Sequence, residues 1–269
     1  MDRKKNDATL SKLGDIYQYY IALLDCFKMQ EGEKIQIEVQ GDVTLISSNN
    51  SFQKEVKHHV GSSTLSDRDI DLWNTLKNWI NDYSNSIKFD QLILFTTADI
   101  MTSSVFFDWN AKNNMQKYDI LHTIGGKKKK SEESFRACYN DIFNSEKISK
   151  EQICVLLGKF QIEYLQPKIQ GIADCFSPFL ITIPTENRDN YIAALLGTVL
   201  QQVIKPPHIW EVSFEVFQKH AQIVAPPYMN EKSVPLPLDF STVEPDCAER
   251  ARAKEKTFVK ALEKIDYKK

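Results

Sequence analysis

Apolar residues recur at helical spacing through SKLGDIYQYYIALLDCFKM, at Ile16, Tyr20, Leu23, Leu24 and Phe27, so the first predicted element is an amphipathic helix. The period then changes. Ile35, Ile37 and Val39 alternate with Gln36, Glu38 and Gln40, which predicts a strand. Val43 to Ile46 reads as a second strand, or as the same strand after a bend at Gly41. SSNNS predicts a turn and FQKEVKHHV the next strand. SSTLSDRDIDLWNTLKNWINDY predicts a helix capped at Ser66 or Asp67, with Leu72, Leu76, Trp79 and Ile80 on its buried face. QLILFTTADI is a short continuous apolar run between polar flanks, the signature of a central strand buried on both faces.

The next punctuation is TIGGKKKKSEESF, whose two glycines and four lysines read as a loop and a domain boundary. Residues 1–122 then form a first α/β unit and residues 131–269 a second, mixed or mainly helical portion. Within the second portion a helix runs to Phe143. Ser149 caps either a helix or a strand over ISKEQICVLLGKF, and QIEYLQ looks extended. TENRDNYIAALLGTVLQQVI is an amphipathic helix ended by Pro206 and Pro207. Residues 224–245 are rich in proline and weakly periodic. A charged helix with a thin apolar stripe closes the chain from Cys247, and such a helix needs a packing partner.

Composition narrows the chemistry mainly by exclusion. The chain has 269 residues, a formal net charge of -2, 42% hydrophobic and 26% charged residues, which suits a folded core and gives no global attraction to polyanions. Five scattered cysteines without CxxC or Cys/His grouping suggest reduced thiols and a cytoplasmic location rather than disulfides or zinc. Neither a signal peptide nor a membrane-spanning run is legible. There is no P-loop, GxSxG, HExxH or dinucleotide fingerprint, so ATP hydrolysis by this chain is not expected.

One stretch carries candidate chemistry. In SFQKEVKHH, strand alternation puts Gln53, Glu55 and Lys57 on one face, with Phe52, Val56 and Val60 largely on the other and Lys54 and His58 breaking the pattern. A carboxylate and a lysine two apart can meet one phosphate. The carboxylate would hold a divalent ion, and the lysine would orient water or steady developing negative charge. Magnesium prefers oxygen ligands, so a second carboxylate is required, and Asp42 can supply it if a hairpin brings it beside Glu55. The Val56 carbonyl offers a further oxygen. His59, on the face of Lys57, suits a phosphate contact better than proton transfer. Lys127, Lys128, Lys129 and Lys130 form the one dense basic run, either a solvated loop or a contact to a nucleic-acid backbone. Trp73 and Trp79, six apart, belong to a core or interface.

The ordered set GDIYQYYIALL, IEVQGDV, QKEVKHH, LWNTLKNW and LILFTTADI, over about the first 110 residues, resembles the PD-(D/E)XK double-stranded-DNA endonuclease domain of bacterial anti-phage effectors. These are the cyclic-oligonucleotide (CBASS) effector nucleases and the nuclease subunit of SMC-like Lamassu systems. The resemblance implies a restriction-endonuclease-like αβββαβ core with Asp42, Glu55 and Lys57 as catalytic trio, and Glu38 and Gln18 in supporting positions. Many relatives carry Gln where this chain has Glu55. It implies Mg²⁺- or Mn²⁺-dependent cleavage of duplex DNA, held inactive until a signal drives assembly. The implied partners are an SMC-like ATPase, an accessory subunit and further copies of the chain. The competing expectations are a catalytically silent scaffold of the same fold and a nuclease acting on RNA.

Overall fold

The computed structural model describes residues 8–126, 132–145 and 147–229, all within the first of two compact units, Met1–Glu231 and Lys232–Lys269. The charged helix expected from Cys247 lies outside the described residues.

The predicted order over the first part of the chain is observed. Helix α1 (Thr9–Lys28) leads into strands β1 (Lys34–Ile37), β2 (Val43–Ile46) and β3 (Phe52–Lys57), then helices α2 (Ile70–Asn81) and α3 (Tyr83–Ser86), then β4 (Gln91–Thr96). Gly41, at φ 115, turns the chain between β1 and β2, which form an antiparallel pair rather than one bent strand. β3 pairs antiparallel with β2 and parallel with β4. The cap of α2 lies later than Ser66 or Asp67. Asp69 accepts from the N–H groups of Asp71 and Leu72, while Asp67 instead accepts from Ser104 Oγ and the Val105 N–H.

The later chain adds helices α4 (Asn114–Gly126), α5 (Glu133–Phe143) and α6 (Lys150–Lys159), strand β5 (Phe160–Glu163), a 3₁₀ segment at Ile169–Phe179, helix α7 (Arg188–Gln201), strand β6 (Glu211–Ser213) and helix α8 (Phe214–Val224). Ser149 and Gln152 make a capping box, so ISKEQICVLLGK is helical. β5 joins β4 in parallel and β6 joins β1 antiparallel, giving one mixed sheet in the order β5-β4-β3-β2-β1-β6. The boundary expected between 122 and 131 therefore falls inside the unit, between two helices of one layer. Gly125 and Gly126 sit within α4, not in a loop. A Cβ on Gly125 would lie 1.8 Å from the Tyr139 ring, so this glycine lets α4 and α5 approach closely.

The sheet separates two cores. On one face α1, the 3₁₀ segment, α7 and α8 pack over Ile35, Ile37, Val43, Val56 and Phe95. On the other, α2, α4, α5 and α6 cover Leu92, Leu94, Phe160 and Ile162, with Trp73 and Trp79 inside this second core. β4 is buried on both faces because it contributes to both. The fold is mixed α/β, as expected at that level. Among the described residues Cys26, Cys138, Cys154 and Cys175 are free thiols, and no helix is long and apolar enough to cross a membrane.

Candidate functional site

The site forms where β3 outruns β2. Their ladder ends at the pair Val43–Lys54, so the Val56 N–H has no strand partner on that side. Asp42, just before β2, takes the vacant place and accepts from the Val56 N–H at 2.7 Å through Oδ2. In an extended strand the N–H and C=O of one residue point to the same side. The Val56 carbonyl is thus directed to the Asp42 side, as the expected metal set requires. Glu55 and Lys57 lie beside Leu94 and Thr96 of β4, on the face that carries α2.

Three of the predicted residues converge. Lys57 Nζ lies 3.4 Å from Glu55 Oε2 and 4.0 Å from Asp42 Oδ2. Their side chains are 28%, 16% and 21% exposed, so the cluster is sheltered yet reachable by a small ligand. Burial raises the Asp42 carboxyl above its ordinary value against the pull of Lys57 and the Val56 N–H. Burial, followed by the negative charge of Asp42, raises Glu55 to about 7, with Lys57 opposing. Burial lowers Lys57, but Asp42 and Glu55 together outweigh it and hold the ammonium protonated. The site thus carries more carboxylate than one lysine neutralises.

Gln18 and Glu38 join from the side of α1. Gln18 Nε2 donates to Glu38 Oε1 at 3.0 Å and to the Asp42 carbonyl at 2.9 Å, and the Glu38 N–H donates to the same carbonyl at 3.2 Å. Glu38 has a positive φ of 57, which closes the β1–β2 turn. His59 donates its backbone N–H to Thr97 Oγ1 at 2.8 Å, and its ring acts electrostatically on Asp69 at the start of α2. His58 turns the other way, its ring tilted against Tyr17 with centroids 4.6 Å apart. Lys127 to Lys130 lie outside the described residues.

Besides Asp15 of α1, which acts electrostatically on Asp42, two contributors escaped the sequence reading. Asp71, in the first turn of α2, acts on Lys57 electrostatically. The DRDID run was the available signal, since acidic residues favour a helix start. The other is Lys54, treated as a break in the alternation. It lies on the Phe52/Val56 face, 4% exposed, with its ammonium 2.5 Å from Asp25 Oδ2.

For a divalent cation the available oxygens are the Asp42 and Glu55 carboxylates and the Val56 carbonyl. Among the described residues no group of three or more His, Cys, Asp or Glu side chains is arranged to hold a metal ion. The fit therefore rests on two carboxylates, a carbonyl and water, which suits magnesium, an ion that keeps several waters. Burial lifts Glu55 most and the negative charge of Asp42 next, and a cation would relieve the latter.

No protein-family model matches the chain, and no curated protein matches it. Solved structures do align. A Cap4 SAVED/CARF-domain containing receptor of Acinetobacter baumannii with the cyclic trinucleotide 3'3'3'-cAAA shows 10% identity and a TM-score of 0.43 over 80% of this chain and 45% of its own. The Cap4 SAVED/CARF-domain containing receptor of Moraxella osloensis shows 12% identity and a TM-score of 0.43 over 80% of this chain and 49% of its own. The chain thus spans less than half of the solved chains it aligns with.

The expectation of a duplex-DNA endonuclease effector is corrected here, since the aligned structures are Cap4 SAVED/CARF-domain containing receptors, one of them with a cyclic trinucleotide. Asp15, Glu38 and Asp71 add negative charge around Asp42, Glu55 and Lys57. At these identities and TM-scores no ligand or activity passes from those proteins to this chain.

Proposed function

We propose that Asp42, Glu55 and Lys57 form a divalent-cation-dependent site that binds a phosphodiester and hydrolyses it. The observation that carries this reading is the convergence of two partly buried carboxylates on one ammonium, within 3.4 Å and 4.0 Å. Asp42, Glu55 and the Val56 carbonyl would hold the cation, which when bound would draw in phosphate oxygens and acidify a water. Lys57 stays charged and faces the same space, so it can donate to a phosphoryl oxygen as negative charge develops. The Val56 N–H pins one Asp42 oxygen, and Gln18 pins the turn that carries Asp42. Both donors reduce the motion of the carboxylate before any ligand arrives.

The test combines Mn²⁺ titration of the chain with turnover of bis(4-nitrophenyl) phosphate and of a linear and a cyclic nucleotide phosphodiester. Native protein should bind Mn²⁺ and release product. Asp42→Asn should lose both. Lys57→Ala should keep Mn²⁺ binding but lose turnover by about 100-fold or more, the scale of one lost transition-state donor. Equal turnover by native protein and Lys57→Ala would refute the assignment.

A further inference from the structure

Outside the carboxylate cluster, the buried pair Asp25–Lys54 is the least expected feature of the molecule. Asp25 and Lys54 are each 4% exposed, and the ammonium sits 2.5 Å from Asp25 Oδ2. The second Asp25 oxygen takes Lys28, at 3.2 Å, from the solvent side. The Lys54 ammonium also lies 4.7 Å and 5.1 Å from the centres of the Phe52 and Phe95 rings. A pair this deep seldom stabilises more than apolar residues of the same size, so its retention calls for a positional explanation.

The contacts around it close a ring. Asp25 of α1 holds Lys54 of β3. Two residues along β3, the Val56 N–H holds the Asp42 carboxylate. The Asp42 carbonyl accepts from Gln18, which returns the circuit to α1. Gln18 and Asp25 are seven residues apart on one helix, two turns, and so lie on the same face. Hydrophobic attraction is non-directional and by itself sets the height of α1 over the sheet only loosely. A charge pair at one point and an amide at another fix it.

From this circuit we infer that Asp25 and Lys54 are positioning residues for the site. They set the height of α1 over β3, and α1 in turn delivers Gln18 to the turn bearing Asp42 and Glu38. The inference rests on the reading of Asp42, Glu55 and Lys57 as a cation and phosphodiester site. It adds two residues on the opposite face of the sheet that touch neither ligand.

The experiment uses the full chain and the double variant Asp25→Leu/Lys54→Met, which removes both charges without stranding either. Amide hydrogen exchange is followed at Val56, Glu38 and Leu94, alongside Mn²⁺ affinity. The variant should stay folded, with Leu94 exchange unchanged and Val56 and Glu38 exchange faster by about tenfold. Mn²⁺ affinity should fall by about tenfold, but by less than about twofold when Gln18→Ala is already present, because the pair acts through Gln18. Unchanged Val56 exchange, or equal losses of Mn²⁺ affinity with and without Gln18, would overturn the inference. If native protein binds no Mn²⁺, the reading of the site falls, and the exchange rates alone still decide the positional role. If the double variant does not fold, Asp25→Glu replaces it. Its longer arm should also speed Val56 exchange, and unchanged exchange would overturn the inference.

Discussion

Glu55→Gln should stabilise the metal-free protein while weakening cation binding. The side chain is 16% exposed, and its carboxyl is raised from 4.5 to about 7 by burial and then by Asp42. A carboxyl whose folded pKa exceeds its unfolded one contributes stability that is complete below about 4.5 and lost as pH rises through about 7. At pH 8 the ionised form costs the fold about 3 kcal/mol, and at pH 5 about 1 kcal/mol. Glutamine keeps the shape and lacks the charge, so it escapes that cost. The 3.4 Å contact with Lys57 is already contained in that cost, because Lys57 opposes the rise. The net expectation is a gain of about 3 kcal/mol at pH 8 and about 1 kcal/mol at pH 5. Urea unfolding in EDTA at the two pH values measures it. With Mn²⁺ the native chain should gain more stability at pH 8 than the variant, because its carboxylate is the stronger ligand. A Gln variant less stable than native protein at pH 8 in EDTA would refute the reasoning.

Two further predictions concern the frame of the fold. Gly125→Ala places a methyl 1.8 Å from the Tyr139 ring, so the ring or the helix that carries it must move, and the expected loss is about 1–3 kcal/mol by urea unfolding, recovered in part by Tyr139→Leu. Lys117 is 2% exposed, donates to the Phe160 carbonyl at 2.7 Å, and has its pKa lowered by burial to about 8, so its contribution to stability is lost as pH falls through about 8. The stability of Lys117→Met relative to native protein should therefore be greater at pH 7 than at pH 9.5 by about 2 kcal/mol, and a constant difference in unfolding free energy would count against the buried charge.

Local periodicity alone determines much of this chain. The apolar spacing of α1 and α2, the alternation of β1 and the unbroken apolar run of β4 are readable because each element's burial is written in its own residues. The strand alternation that sets Glu55 and Lys57 on one face is equally local, and GDV before a hairpin suffices to suggest Asp42. Tertiary structure decided what depends on distant neighbours. Gly125 and Gly126 look like a loop in sequence, and only Tyr139 across the helix interface explains a glycine inside α4. Lys54 looks like an error in a strand until Asp25 faces it. The short strands β5 and β6 carry too few residues for a period, and belong to the sheet only because β4 and β1 offer open edges. The site follows the same division. Residue types and their alternation nominated Asp42, Glu55 and Lys57, while the early end of the β2–β3 ladder brought them together. Asp15, Glu38 and Asp71, arriving from other elements, made its surroundings acidic.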